Sequence, residues 1–209
     1  MSLSAPVTRP ALSPDRVLLR ALGSLLIGAG LGSLTSFGQG WVGITLNAFV
    51  NSVSAWLVLP FFAGALMESG RRAALLGFLA CGSELAGYYT TAHLRGLAAG
   101  GGIVIFWLAC AALGGTLLGA AGNLWRSSAA RLRGLGASVL AASFLSEGLW
   151  SYAHELHYYT AAVLWISIGL SLAVILNRGS WRDIGWLALT VPAALVGEVA
   201  LTMISSQPF

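Results

Sequence analysis

A chain of 209 residues that is 57% hydrophobic and 9% charged, with a mean hydropathy of +0.81, cannot cover itself with a water-soluble surface, which takes roughly a quarter charged residues. It reads as an all-α, polytopic transmembrane helix bundle, and its net charge of +4 is an orientation signal before it is a sign of nucleic-acid binding. All eleven basic residues are Arg, a usage that suits a GC-rich bacterial genome and hence a multi-pass protein of the bacterial inner membrane.

Residues 1–16 form a polar tail ending in Asp15 and Arg16. The apolar run that follows is longer than the roughly 7–15-residue core of a signal peptide and shows no small-residue cleavage pattern, so a retained first span is expected. A bilayer core takes about 20 mostly apolar residues per helix, and seven segments qualify: residues 17–38, 52–67, 73–94, 101–125, 135–153, 160–176 and 184–205. With the N-terminus cytoplasmic, Arg9, Arg16, Arg20, Arg71, Arg72, Arg126, Arg131, Arg133, Arg178 and Arg182 all fall inside and Arg95 alone outside, as the enrichment of cytoplasmic loops in basic residues requires. Six spans result if the second or seventh segment is re-entrant. One transmembrane domain, residues 17–205, is followed by a short tail, 206–209.

The first span carries Ser24, Gly28, Gly32, Ser36 and Gly40, a small residue at every fourth position, and the fourth repeats the pattern with Ala111, Gly115 and Gly119. Such stripes let helix backbones approach closely. The partner is either a neighbouring helix of the same chain or a separate membrane subunit docked through Ser24, Gly28, Gly32 and Ser36.

Ionisable groups at membrane depth are costly and usually mark function. Glu68, beside Arg71 and Arg72, reads as a surface ion pair. Glu84, Glu147 and Glu198 lie from mid-membrane outward, in spans whose outer ends share one side. Around Glu84 stand Tyr88, Tyr89, Thr91 and His93; Trp107 and Trp165 lie at similar depth; Gln39, Trp41, Asn47 and Asn51 populate the first external loop. The most crowded stretch is SFLSEGLWSYAHELHYY, residues 143–159, in which Glu147, Trp150, Ser151 and His154 follow the i, i+3, i+4, i+7 spacing of one α-helical face. An interfacial belt explains Trp41, Trp125, Trp181, Trp186, Tyr158 and Tyr159, but not the carboxylates. Those are either structural, bonded to neighbouring helices, or part of a polar cavity open to the outside.

Carboxylates among aromatic faces suit a small cation or an aromatic molecule. The candidate binding residues are Glu84, Tyr88, Trp107, Glu147, Trp150, Ser151, His154 and Glu198. His154 and His157 are weak metal candidates, because HELH is not the HExxH spacing that sets a general base beside two zinc ligands. No GxSxG or nucleotide-binding loop occurs, so neither catalysis nor a cofactor is expected. Cys81 and Cys110 fall in apolar stretches, where a small buried thiol is the ordinary state.

The run NSVSAWLVLPFFAGALMESGRRAALLGFLACGSELAGYY, with FWLACAALGGTLLGAAGNLWR and SFLSEGLW, resembles a family of bacterial, largely actinobacterial, membrane proteins of unknown function. More loosely, the first-span stripe and the outward cluster are similar to the substrate-capture subunits of energy-coupling-factor vitamin transporters. That resemblance implies ligand capture at the external face and docking to a transmembrane coupling subunit. Those subunits have six spans with both ends inside, against the seven read here. The expected function is capture or transport of a small cationic or aromatic molecule from outside. The alternatives are a non-catalytic subunit that stabilises a larger membrane complex and an intramembrane metal-dependent enzyme.

Overall fold

The computed structural model describes residues 13–39, 48, 50–97, 99–127, 130–178 and 180–205, and the regular elements among them are all helical. The tails 1–12 and 206–209, with Gly40, Trp41 and Asn47 from the connection between the first two apolar segments, lie outside the described residues.

Local chemistry sets the start of α1 (Pro14–Gly38). Ser13 occupies the N-cap, Pro14 brings its preset φ to the first helical position, and Asp15 places a carboxylate near the positive end of the helix dipole. Leu19, Leu22, Leu26 and Leu34 are exposed, whereas Ser24, Gly28, Gly32 and Ser36 are buried. What buries them is α4 (Gly70–Leu94) of the same chain. A Cβ on Gly28 would lie 2.1 Å from Ser83 Oγ, and one on Gly32 would lie 1.9 Å from the Glu84 carbonyl oxygen. The stripe is therefore the α1–α4 interface. A separate subunit docked through Ser24, Gly28, Gly32 and Ser36 would find that face already occupied by α4.

The second apolar segment is short and broken. It forms α2 (Val53–Trp56) and α3 (Val58–Ala65), which at about 1.5 Å per residue extend roughly 20 Å with the intervening Leu57, against about 30 Å of hydrocarbon. α4 is capped by Ser69, whose hydroxyl accepts from Arg72 N, and stops at Gly96, whose φ of 77° is a left-handed conformation cheap only for glycine. There Gly96 N donates to His93 O and Leu97 N to Ala92 O, each at 2.9 Å, which satisfies the last carbonyls of the helix. Small residues also set the seams of α5 (Gly101–Ser127). A Cβ on Gly77 would lie 2.2 Å from Gly115 O, and one on Gly122 would lie 1.8 Å from Phe61 O.

α6 (Ala130–Glu147) runs directly into a π-helix (Gly148–Glu155), followed by α7 (Tyr159–Leu176), α8 (Trp181–Ile184) and α9 (Leu187–Ser205). α1 packs on α4, α4 on α5, α5 on α6, and α6 on both α7 and α9, while α3 wedges against α4 and α5. Tertiary hydrogen bonds define two ends of this bundle. At one, Arg20 reaches Leu66 O, Asn123 Nδ2 donates to Met67 O at 2.7 Å, and Trp125 Nε1 donates to Leu176 O at 3.0 Å. At the other, Arg95 reaches Ser36 O and sits 5.2 Å from the Phe37 ring centroid, and Ser52 reaches Glu147. α1, α2–α3, α4, α5, α6 with the π-helix, α7 and α8–α9 alternate in direction between these ends. Arg20, Arg72, Arg126, Arg133, Arg178 and Arg182 fall at the first end and Arg95 at the second. Glu68 and Arg72 pair there at 2.8 Å, as an interfacial ion pair should.

Among the described residues, four helices are long and apolar enough to cross a membrane: Pro14–Gly38, Gly101–Arg126, Tyr159–Leu176 and Trp181–Ser205. Large apolar side chains face out, while Ser52, Glu84, Asn123, Ser138 and Glu147 are buried, the reverse of a water-soluble protein's distribution.

Candidate functional site

At the Arg95 end, α1, α2, α4 and α5 enclose a cavity of about 340 Å³. Its walls carry Trp56 at the end of α2, Tyr88 and Tyr89 on α4, and Trp107 on α5. The rings stand nearly perpendicular: Trp56 and Tyr88 are 5.7 Å apart at 67°, and Tyr88 and Tyr89 are 5.1 Å apart at 83°. Edge-to-face contacts of this kind lock the rings. Polar groups collect at one side, where Tyr88 Oη donates to Gln39 Oε1 at 2.6 Å and Gln39 Nε2 donates to Asn51 Oδ1 at 2.6 Å. Cys81 and Cys110, both free thiols, line the same cavity.

Of the residues singled out from the sequence, Tyr88 and Trp107 reach this cavity and Glu84 does not line it. Glu84 is 3% exposed on α4, its backbone carbonyl lies under Gly32 of α1, and its Oε2 is buried with no hydrogen-bonding partner among the described residues.

Glu147 is also 3% exposed, and its carboxylate is engaged within the chain. Oε2 accepts from Ser52 Oγ at 2.9 Å and from Ser54 N at 2.8 Å, and Oε1 lies 3.0 Å from Tyr152 Oη. The carboxylate thus sits where α2 begins and takes up donors that the short helix leaves unsatisfied. Ser52 also accepts from Trp165 Nε1 at 2.9 Å and from Ala55 N at 3.1 Å. Tyr152 Oη has a second acceptor, Ala48 O, at 3.1 Å. With one proton and two acceptors, Tyr152 either donates to Glu147 or donates to Ala48 while accepting from a neutral Glu147. Glu147 is one residue removed from the cavity, because Ser52 belongs both to the cavity wall and to its hydrogen-bond shell.

The α-helical spacing of Glu147, Trp150, Ser151 and His154 does not put them on one face, because the chain widens into a π-helix at Gly148. An i→i+5 pattern, seen in Leu156 N donating to Ser151 O at 3.0 Å, puts more residues into each turn, so successive side chains rotate by less than the 100° per residue of an α-helix and drift off the expected face. Glu147 instead meets Tyr152, five residues on. Ser151 Oγ turns to α9 and donates to Glu198 Oε1 at 2.5 Å. Trp150 and His154 stack on each other, 4.4 Å apart at 20°, with Trp150 Nε1 buried and without a hydrogen-bonding partner among the described residues. None of Glu84, Glu147 and Glu198 lines the cavity, and each has its own hydrogen-bonding surroundings.

His154 Nδ1 lies 3.4 Å from Glu155 Oε1, and His157 Nδ1 lies 3.2 Å from Glu155 O. Among the described residues no group of three or more His, Cys, Asp and Glu is placed to hold a metal ion. The sequence reading passed over Trp56 and Tyr152, and left Tyr89, Gln39, Asn51 and Ser52 outside the site. The one available signal was that Gln39 and Asn51 are polar residues flanking the first external loop.

The fold and cavity define an all-helical protein with membrane-spanning helices and a small aromatic chamber at one end. The chain belongs to a family of unknown function, DUF6518, whose model matches residues 11–206. No curated protein and no solved structure matches it.

Proposed function

We propose that this is a seven-span protein of the bacterial inner membrane, N-terminus in the cytoplasm, that captures a small aromatic or cationic molecule from the external side. The observation that carries this reading is the cavity walled by Trp56, Tyr88, Tyr89 and Trp107, with the hydrogen-bonded side chains of Tyr88, Gln39 and Asn51 in its lining. Ligand sites are typically clefts of about 300–1,000 Å³ with mostly apolar, aromatic linings and a few placed polar groups, and this cavity fits that description. Its orientation follows from the arginines: the end opposite the basic cluster is the external one. The alternation of chain direction between the two ends supports seven crossings. The second crossing is interrupted at Ser52, a single non-helical residue between helical neighbours, and such a break is tolerable at membrane depth because protein surrounds it.

The test is a titration of the purified protein in nanodiscs with quinoline and with N-methylquinolinium, followed by tryptophan fluorescence. At least one of them quenches saturably in the wild type and not in Cys110→Trp, which fills the chamber. Equal behaviour of wild type and Cys110→Trp would remove the cavity from the function.

A further inference from the structure

The chemistry of the cavity walls narrows the ligand class. Among the described residues, no carboxylate and no guanidinium lines the chamber. Glu147, the nearest acid by hydrogen bonding, is behind Ser52 and is engaged by Ser52, Ser54 and Tyr152. A cation held in the chamber would have ring faces but no counter-charge in its lining, an expensive arrangement once it has left water. A neutral ring carries no such penalty and gains the same stacking area.

The polar side of the chamber adds a second constraint. The Gln39 carboxamide spends one N–H on Asn51 Oδ1 and one lone pair of Oε1 on the Tyr88 hydroxyl. A primary carboxamide has two N–H donors and two acceptor lone pairs, so one donor and one acceptor remain on the same amide plane. Tyr88 and Asn51 hold the amide plane in place and thereby fix the direction of that pair. Its complement is another donor–acceptor edge: the lactam or carboxamide of a flat heterocycle, whose ring would then lie among Trp56, Tyr88, Tyr89 and Trp107.

We infer that the chamber binds a neutral, planar heteroaromatic molecule through a lactam or carboxamide edge paired with Gln39, in preference to a cation. This rests on the ligand-capture reading and specifies its ligand.

Three matched bicyclic probes separate the terms: quinazolin-4-one, with a lactam edge; quinoline, neutral without one; and N-methylquinolinium, a cation. With the purified full chain in nanodiscs, quinazolin-4-one is expected to bind about tenfold or more tighter than either of the others, a difference of about 1.4 kcal/mol. Gln39→Leu should bring it down to the affinity of quinoline while leaving quinoline unchanged. Tyr88→Phe, which removes only the hydroxyl that orients Gln39, should lower the lactam advantage in a protein that keeps its ring walls. If N-methylquinolinium binds as tightly as quinazolin-4-one, or if Gln39→Leu and Tyr88→Phe both leave the preference intact, this inference fails and ligand capture stands. If none of the three binds in a way that Cys110→Trp abolishes, ligand capture fails with it.

Discussion

Replacing Glu147 separates a structural carboxylate from a ligand-binding one. In Glu147→Ala, Ser52 Oγ and Ser54 N lose their acceptor inside a buried environment, while Tyr152 keeps Ala48 O and Trp165 keeps Ser52 Oγ. An orphaned buried donor costs about 1–3 kcal/mol, so two give a loss of about 2–6 kcal/mol. At roughly 2 °C or more per kcal/mol for a chain of this size, the expected fall in Tm is about 4 °C at the least. Glu147→Gln should behave differently. Its carbonyl oxygen can take the place of Oε2 between Ser52 and Ser54, and one of its two N–H groups can donate to Tyr152, which then donates to Ala48, leaving a single buried N–H without an acceptor, so the loss should be about 1–3 kcal/mol, half that of Glu147→Ala. Thermal unfolding in detergent, followed by circular dichroism, compares the three proteins. A Glu147→Ala protein as stable as wild type, or a Glu147→Gln protein as damaged as Glu147→Ala, would show that the carboxylate is not the acceptor described here.

Gly32→Ala should destabilise by about 1–3 kcal/mol, because its Cβ would meet Glu84 O at 1.9 Å and force α1 away from α4, whereas Gly30→Ala has nothing within 4 Å and should be neutral or slightly stabilising; equal Tm values for the two would sink the interface assignment. Ser151→Ala should lower stability by about 1 kcal/mol through loss of the 2.5 Å bond to Glu198, and an unchanged Tm would mean that α9 is not tied to the π-helix by this contact. In a Cys81→Ser, Cys110→Ser background, a cysteine at Arg95 should react with a membrane-impermeant maleimide on intact cells and one at Arg178 should not; the reverse result would invert the orientation.

Much of the helical frame was legible because its signals are local. The apolar runs 17–38, 101–125, 160–176 and 184–205 each coincide with a helix long and apolar enough to cross a membrane, whereas the residues that cap or stop helices, Ser13, Ser69 and Gly96, were not read as such. The stripe of Ser24, Gly28, Gly32 and Ser36 announced close helix packing, but spacing on one helix is silent about which helix covers it, and the cover proved to be α4. The site was harder to read for a geometric reason. Grouping Glu147, Trp150, Ser151 and His154 assumed 3.6 residues per turn, and the π-helix from Gly148 breaks that assumption without any Gly–Pro break to mark it. Whether a buried acid serves a ligand or a neighbour depends on residues far away in the chain. Ser52 lies 95 positions from Glu147, and only the fold brings them together. Tyr88 and Trp107, rings on adjacent helices, both line the cavity, and Trp56 and Tyr152 were passed over because their segments carried louder polar residues.

The decisive measurement is mass spectrometry of small molecules retained by the protein after extraction into native-lipid nanodiscs, comparing wild type with Cys110→Trp. A neutral, ring-containing molecule carrying a lactam or carboxamide, near one per chain in the wild type and absent from Cys110→Trp, is the expected result. An identical small-molecule profile from the two proteins would mean that the chamber between α4 and α5 holds no ligand.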